Sequence, residues 1–230
     1  MLPVPEIALN LIGKQSVRGW VDLHGGHNNR LWRVFCDGEA WIVKSFRTAW
    51  LRQNEMLAID RLGPLGIAPS TVHAQSATVL IWPDDGLCPV PVLDEGVARS
   101  MGHALRQIHD SGPVAAIDEE RAWRTVNRIG DRVGRELAYR GERWGPVHGD
   151  ACLGNCLGDA AGRFVRFSDF EEFGEGDQAA DLIQCLVETA CDDPARADQT
   201  IAWVLAGYAG IGETARLLEL ADKGVRAALG

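Results

Sequence analysis

The stretch Val147-His148-Gly149-Asp150-Ala151-Cys152-Leu153-Gly154-Asn155, followed by Phe167-Ser168-Asp169-Phe170-Glu171, decides how the chain is read. Asn155 follows Asp150 by five residues, in a segment with Gly154 and Gly158 nearby. The apolar run 164–167 then leads into Asp169. Two carboxylates and an amide therefore sit on two loops separated by a predicted hairpin. All three offer hard oxygen donors, the kind that Mg²⁺ takes. Phosphoryl transfer needs such a set: a carboxylate facing the attacking hydroxyl and a divalent ion on the phosphates. A single loop aspartate is usually a turn residue or a helix cap. The combination H-G-D-x-x-x-x-N and then D-F-E is what lifts these residues above that reading. His148 is read as a brace for the loop.

Upstream, the chain has 20 arginines but only three lysines, Lys14, Lys44 and Lys223. Lys44 lies inside Trp41-Ile42-Val43-Lys44-Ser45-Phe46, an otherwise apolar strand. A lysine there must snorkel or meet an anion. Glu55, eleven residues on in the next predicted helix, is the candidate partner. Before the strand comes the loop 23–30, with Gly25, Gly26 and Asn29, where backbone N–H groups can approach phosphate oxygens.

The surrounding pattern predicts strands over 18–23, 30–36 and 39–46. Asp37-Gly38 forms a two-residue hairpin turn in which both positions tolerate positive φ. A helix is expected over 48–62, ended by Gly63, Pro64 and Gly66, and a strand pair over 71–73 and 78–82. Pro83-Asp84-Asp85-Gly86 then breaks the chain, dividing it into 1–83 and 84–230. Helices are predicted over 93–109, 119–139, 178–191, 199–208 and 214–229, with loop and short strand over 147–172. Strands first and helices after make an α+β layout in two lobes.

In this order of parts the chain resembles the aminoglycoside phosphotransferase and choline kinase superfamily, over roughly residues 18–190. The resemblance implies a two-lobed protein-kinase-like fold, with a small antiparallel-sheet N-lobe that binds nucleotide and a mostly helical catalytic and substrate C-lobe. It implies ATP or GTP as phosphoryl donor, Mg²⁺ as cofactor and a small-molecule alcohol as acceptor. Gly25, Gly26 and Asn29 match the family's nucleotide loop, Lys44 its phosphate-binding lysine and Glu55 the lysine's helix partner. Leu80, Ile81 and Trp82 match the strand and hinge beside the purine. Asp150 matches the catalytic aspartate, and Asn155 and Asp169 match the metal ligands. Gly176-Asp177 and Asp181-Leu182 match a structural G-D…D-L signature, with Asp177 expected to brace the catalytic loop. Many relatives carry L-H-P-G-N after the aspartate, where this chain has Ala151-Cys152-Leu153-Gly154-Asn155. The second lobe is short where relatives carry substrate-binding insertions. A silent nucleotide-binding regulator of the same fold is the alternative, and metal-dependent hydrolysis through His148 and the carboxylates a third.

Composition sets the outer limits. A net charge of −9 argues against nucleic acid as a partner, since phosphate binding needs clustered Lys and Arg. No apolar run approaches a membrane span, and the N-terminus lacks the pattern of a signal peptide, so a cytoplasmic protein is expected. The six cysteines form no C-x-x-C pair and read as reduced thiols, with Cys152 and Cys156 as a possible oxidation-sensitive pair. Glu171, Glu172, Glu175 and Asp177 make the D-F-E region acidic, which suits an ammonium group, and Trp123, Trp144 and Trp203 are candidates for the substrate side. Trp20, Trp32, Trp41 and Trp50 are expected in the core of the first lobe.

Overall fold

The computed structural model describes residues 4–13, 16–23, 29–114 and 144–209, and positions 219, 223 and 226. Gly25 and Gly26, Trp123 and the helices expected over 119–139 and 214–229 lie outside these residues or largely so. The chain divides into two compact units, Met1–Gly86 and Leu87–Gly230.

The first unit is built on a five-stranded antiparallel sheet in the order β1-β2-β3-β5-β4. Its strands are β1 (Val17–Asp22), β2 (Asn29–Cys36), β3 (Ala40–Phe46), β4 (Ala74–Gln75) and β5 (Val79–Pro83). The Asp37-Gly38 turn joins β2 to β3, but only Gly38 takes positive φ, at 84°. The Cys36 N–H donates to the Glu39 carbonyl across this two-residue turn, and glycine alone carries the left-handed conformation in it. The short strand predicted over 71–73 falls instead on Ala74–Gln75.

Side-chain alternation splits the sheet's residues between two cores. Trp32, Val34, Trp41, Val43, Val79 and Ile81 pack with Val4 and Ala8, the latter on helix α1 (Glu6–Ile12). Ile42, Phe46, Leu80 and Trp82 pack with Leu51 and Ile59 of helix α2 (Ala49–Leu62). Thr48 caps α2 through its hydroxyl, which accepts from the Leu51 N–H. Of the four early tryptophans, Trp32 and Trp41 are buried, while Trp20 and Trp50 pack partly buried against these clusters.

The second unit carries helices α3 (Glu95–His109), α4 (Gln178–Asp192) and α5 (Ala197–Tyr208). Helix α3 shows a long buried stripe, Val97, Ala98, Met101, Gly102, Ala104, Leu105, Ile108 and His109. Gly102 and Gly207 let α3 and α5 touch backbone to backbone, since a Cβ at Gly207 would strike the Arg99 carbonyl and one at Gly102 the Val204 carbonyl. Two small sheets complete the unit. One pairs β7 (Trp144–Val147) with β10 (Gly174–Asp177), and the other orders β6 (Cys88–Pro89), β8 (Cys156–Gly158) and β9 (Phe164–Phe167). No helix of the described residues is long and apolar enough to cross a membrane.

Candidate active site

In the first unit Lys44 and Glu55 form the ion pair that the apolar strand demanded. Lys44 is the cross-strand partner of Leu80 and Leu31, on the sheet face that looks toward α2. Glu55 lies in the buried stripe of α2, which runs Leu51, Asn54, Glu55, Ala58, Ile59, Leu62. The Lys44 Nζ donates to Glu55 Oε2 at 2.7 Å, with both residues 5% exposed or less. The ammonium also lies 5.0 Å from the centre of the Phe46 ring. Asn29 opens β2 and is buried. Leu80 and Trp82 share the sheet face of Lys44, whereas the Ile81 side chain belongs to the opposite core.

In the second unit the chain leaves β7 at Val147 and enters the loop His148-Gly149-Asp150. Gly149 has φ 82°, and a Cβ there would come within 2.7 Å of the Glu172 Cβ. Only glycine meets both conditions. The loop is gripped from beneath by Asp181 of α4. Its Oδ2 accepts from the His148 N–H at 2.9 Å and its Oδ1 from the Gly149 N–H at 2.8 Å. Asp181 Oδ2 also meets His109 Nε2 at 3.0 Å, and the other nitrogen of that ring meets the Tyr208 hydroxyl at 2.7 Å. Burial pushes the Asp181 carboxyl up, but the hydrogen bond and charge of His109, with the nearby His148, outweigh it and hold the group below the ordinary aspartate range.

The bracing bonds thus come from Asp181. Asp177, expected in that role, caps α4, accepting from the Ala179 and Ala180 N–H groups. Its position at the helix start explains this, since the first amides of a helix have no partners within it. His148 does brace the loop: its Nδ1 accepts from the Asp150 N–H at 3.2 Å, and its buried ring packs on Phe167 and Phe170.

Asp150 is half-buried at the loop's end. Asn155 donates its amide to the Asp150 backbone carbonyl at 2.8 Å and to Asp150 Oδ2 at 3.2 Å. Gln184 of α4 donates to Oδ1 at 3.2 Å, a contact that no motif announced. The β8–β9 hairpin then brings Asp169 beside Asn155, because the Ser168 N–H donates to the Asn155 carbonyl at 2.8 Å. Asp169 has φ 61° and ψ 56°, making it the only described non-glycine residue at positive φ. Such a conformation is uncommon outside glycine, and it tends to persist where a side chain must be aimed. The Asn155 Oδ1 and the Asp169 carboxylate are hard oxygen donors, of the kind that Mg²⁺ takes when phosphates supply the rest.

The acidic residues beside Asp169 are engaged internally. Glu171 and Glu172 are buried, Glu175 accepts from the Val114 N–H, and Asp177 is a cap. They do not form the open ammonium cradle that composition suggested. Trp144 is half exposed and Trp203 partly buried. All six cysteines are free thiols. Burial raises the thiols of Cys152, Cys156 and Cys185, which keeps them protonated at neutral pH.

No protein-family model matches the chain, and no curated relative does. Solved structures do match it along nearly its whole length. It is 19% identical to a macrolide 2′-phosphotransferase type I, with a TM-score of 0.64 over 100% of this chain and 92% of that one. It is 14% identical to a spectinomycin phosphotransferase solved with ADP and spectinomycin, with a TM-score of 0.63 over 99% and 88%. An ethanolamine kinase of Plasmodium vivax is 13% identical, with a TM-score of 0.66 over 96% and 77%. At these identities the likeness is one of fold: the chain has the protein-kinase-like α+β fold that these phosphotransferases and this kinase share.

Proposed function

We propose that this chain is a small-molecule kinase that moves the γ-phosphate of ATP or GTP to a hydroxyl of a small metabolite. The observation that carries the reading is one chain holding both a buried Lys44–Glu55 pair and the Asp150–Asn155 loop tied to Asp169. A buried ammonium held by a helix carboxylate is a phosphate-binding device, and the oxygen set is a magnesium device. Neither half alone specifies the reaction.

In this reading Lys44 and the Gly25–Gly26 loop hold the nucleotide phosphates. Asn155 and Asp169 would hold Mg²⁺, which would supply charge neutralisation on the nucleotide phosphates. Asp150 orients the acceptor hydroxyl and takes its proton. The transition state is loose, so positioning and charge stabilisation outweigh proton abstraction. The spectinomycin phosphotransferase and ethanolamine kinase among the structural neighbours support acceptors of the amino-alcohol or aminosugar kind.

The test is a nucleotide-consumption screen with MgATP and MgGTP against choline, ethanolamine, thiamine, aminoglycosides, macrolides and simple sugars. Transfer to an alcohol is expected, and Asp150→Ala should abolish it while nucleotide binding survives. Full activity in that variant would remove the assignment. Nucleotide binding without transfer across the panel would favour the silent regulator.

A further inference from the structure

We infer that Gln184 is a positioning residue for the transfer, fixing the carboxylate of Asp150 in one orientation. The inference rests on the reading of Asp150 given above. A carboxylate held at one oxygen can still swing about its side-chain bonds. Asp150 is held at both: Gln184 Nε2 donates to Oδ1 and Asn155 Nδ2 to Oδ2, each at 3.2 Å. The two donors come from different elements, one from helix α4 and one from the turn before β8. Together they set the plane of the carboxylate.

The direction of the glutamine amide follows from chemistry. An ionised carboxylate only accepts, so Nε2 must face it. Gln184 Oε1 is then turned away, and it is buried with no hydrogen-bond partner among the described residues. A buried acceptor without a partner destabilises the fold. Gln184 is 1% exposed, in a stretch of α4 where Leu182, Ile183, Cys185, Leu186 and Val187 are all buried. A methionine or leucine would fill this place without that penalty, so packing does not account for glutamine. Contact with Asp150 does. A neutral amide also orients the carboxylate without the charge that a lysine or arginine would bring.

Helix α4 thus grips the loop twice, one turn apart. Asp181 holds the backbone of His148 and Gly149, and Gln184 holds the side chain of Asp150. The first grip places the loop, and the second aims its functional group.

The experiment uses the full chain in two arms. In the first, Gln184→Met is compared with wild type for transfer from MgATP and MgGTP to the alcohols of the screen. We expect kcat to fall about tenfold, nucleotide KM to stay within about twofold and the thermal midpoint not to fall. A kcat within about twofold of wild type, in a protein that Asp150→Ala inactivates, would overturn the inference. In the second arm the side-chain amide NMR signals of Gln184 are identified by their loss in Gln184→Met. They should move in Asp150→Ala; unmoved signals would overturn the inference whatever the activity of Gln184→Met. A wild-type chain that transfers to no alcohol in the panel counts against the proposed reaction, and the amide signals then decide the pairing alone.

Discussion

Removing the ammonium of Lys44 should unfold the first unit far more readily than removing both members of its pair. Lys44 and Glu55 lie 2.7 Å apart with side chains 6% and 3% exposed. At an effective dielectric of about 20 their gross attraction is about 6 kcal/mol. Much of that offsets the desolvation of two charges, so the pair's net contribution is small. Lys44→Met leaves Glu55 buried without its cation, which costs roughly 3–5 kcal/mol. That is a large fraction of the ~5–15 kcal/mol typical of a domain. The double variant Lys44→Met/Glu55→Met leaves no buried charge and should return to within about 1 kcal/mol of wild type, or exceed it. Urea unfolding at pH 7, followed by tryptophan fluorescence, measures this well, because five of the eight tryptophans fall in residues 1–86. Under the proposed function the double variant should also lose stabilisation by MgATP. If the cost of the double variant equals the sum of the costs of Lys44→Met and Glu55→Met, the two residues are not energetically coupled and the pairing argument fails.

Three further outcomes are expected. Asp181→Asn should cost about 2–3 kcal/mol at neutral pH, since hydrogen bonds to a charged acceptor are lost. The folded-state value of Asp181 is depressed, so its stabilisation is complete above the unfolded value and is lost as pH falls through the folded one. The gap between wild type and variant in urea titrations should therefore close below about pH 4, and a gap constant from pH 7 to 3 would contradict the depressed value. Gly207→Ala should destabilise the chain by about 3 kcal/mol through collision with the Arg99 carbonyl, read as a lower thermal midpoint. In thiol labelling of native protein, exposed Cys88 and Cys191 should react first and buried Cys156 and Cys185 only after unfolding, as mass spectrometry of the labelled peptides would report.

What the sequence disclosed follows from where its anomalies stood. Lys44 was legible because a charge inside an apolar strand has few ways to survive, and the 11-residue offset to Glu55 spans one strand end and one and a half helical turns. The hairpin carrying Asn155 to Asp169 was legible from its apolar strands. Asp181 was marked as structural by the resemblance, but its hold on the loop was hidden because those two bonds go to backbone N–H groups, which no side-chain motif records. Gln184 interrupts the apolar run Leu182-Ile183-Gln184-Cys185-Leu186-Val187 as Lys44 interrupts β3. The same test would have found it, but helical sequences so often mix polar with apolar residues that the interruption draws no notice. The acidic look of 171–177 misled because composition does not distinguish a cap or buried carboxylate from an open one.

The grip of Asp181 on the His148 and Gly149 amides bears on how freely this enzyme-like loop can diversify. A hold on peptide groups is blind to side-chain identity. Cys152, Leu153 and Gly154 can therefore be exchanged in lineages or in libraries while the loop's anchorage stays put, with Ala151 constrained by its burial and Gly149 barred by its φ of 82°. Under the proposed function, that freedom offers a route by which one scaffold is retuned from one acceptor alcohol to another without rebuilding its support.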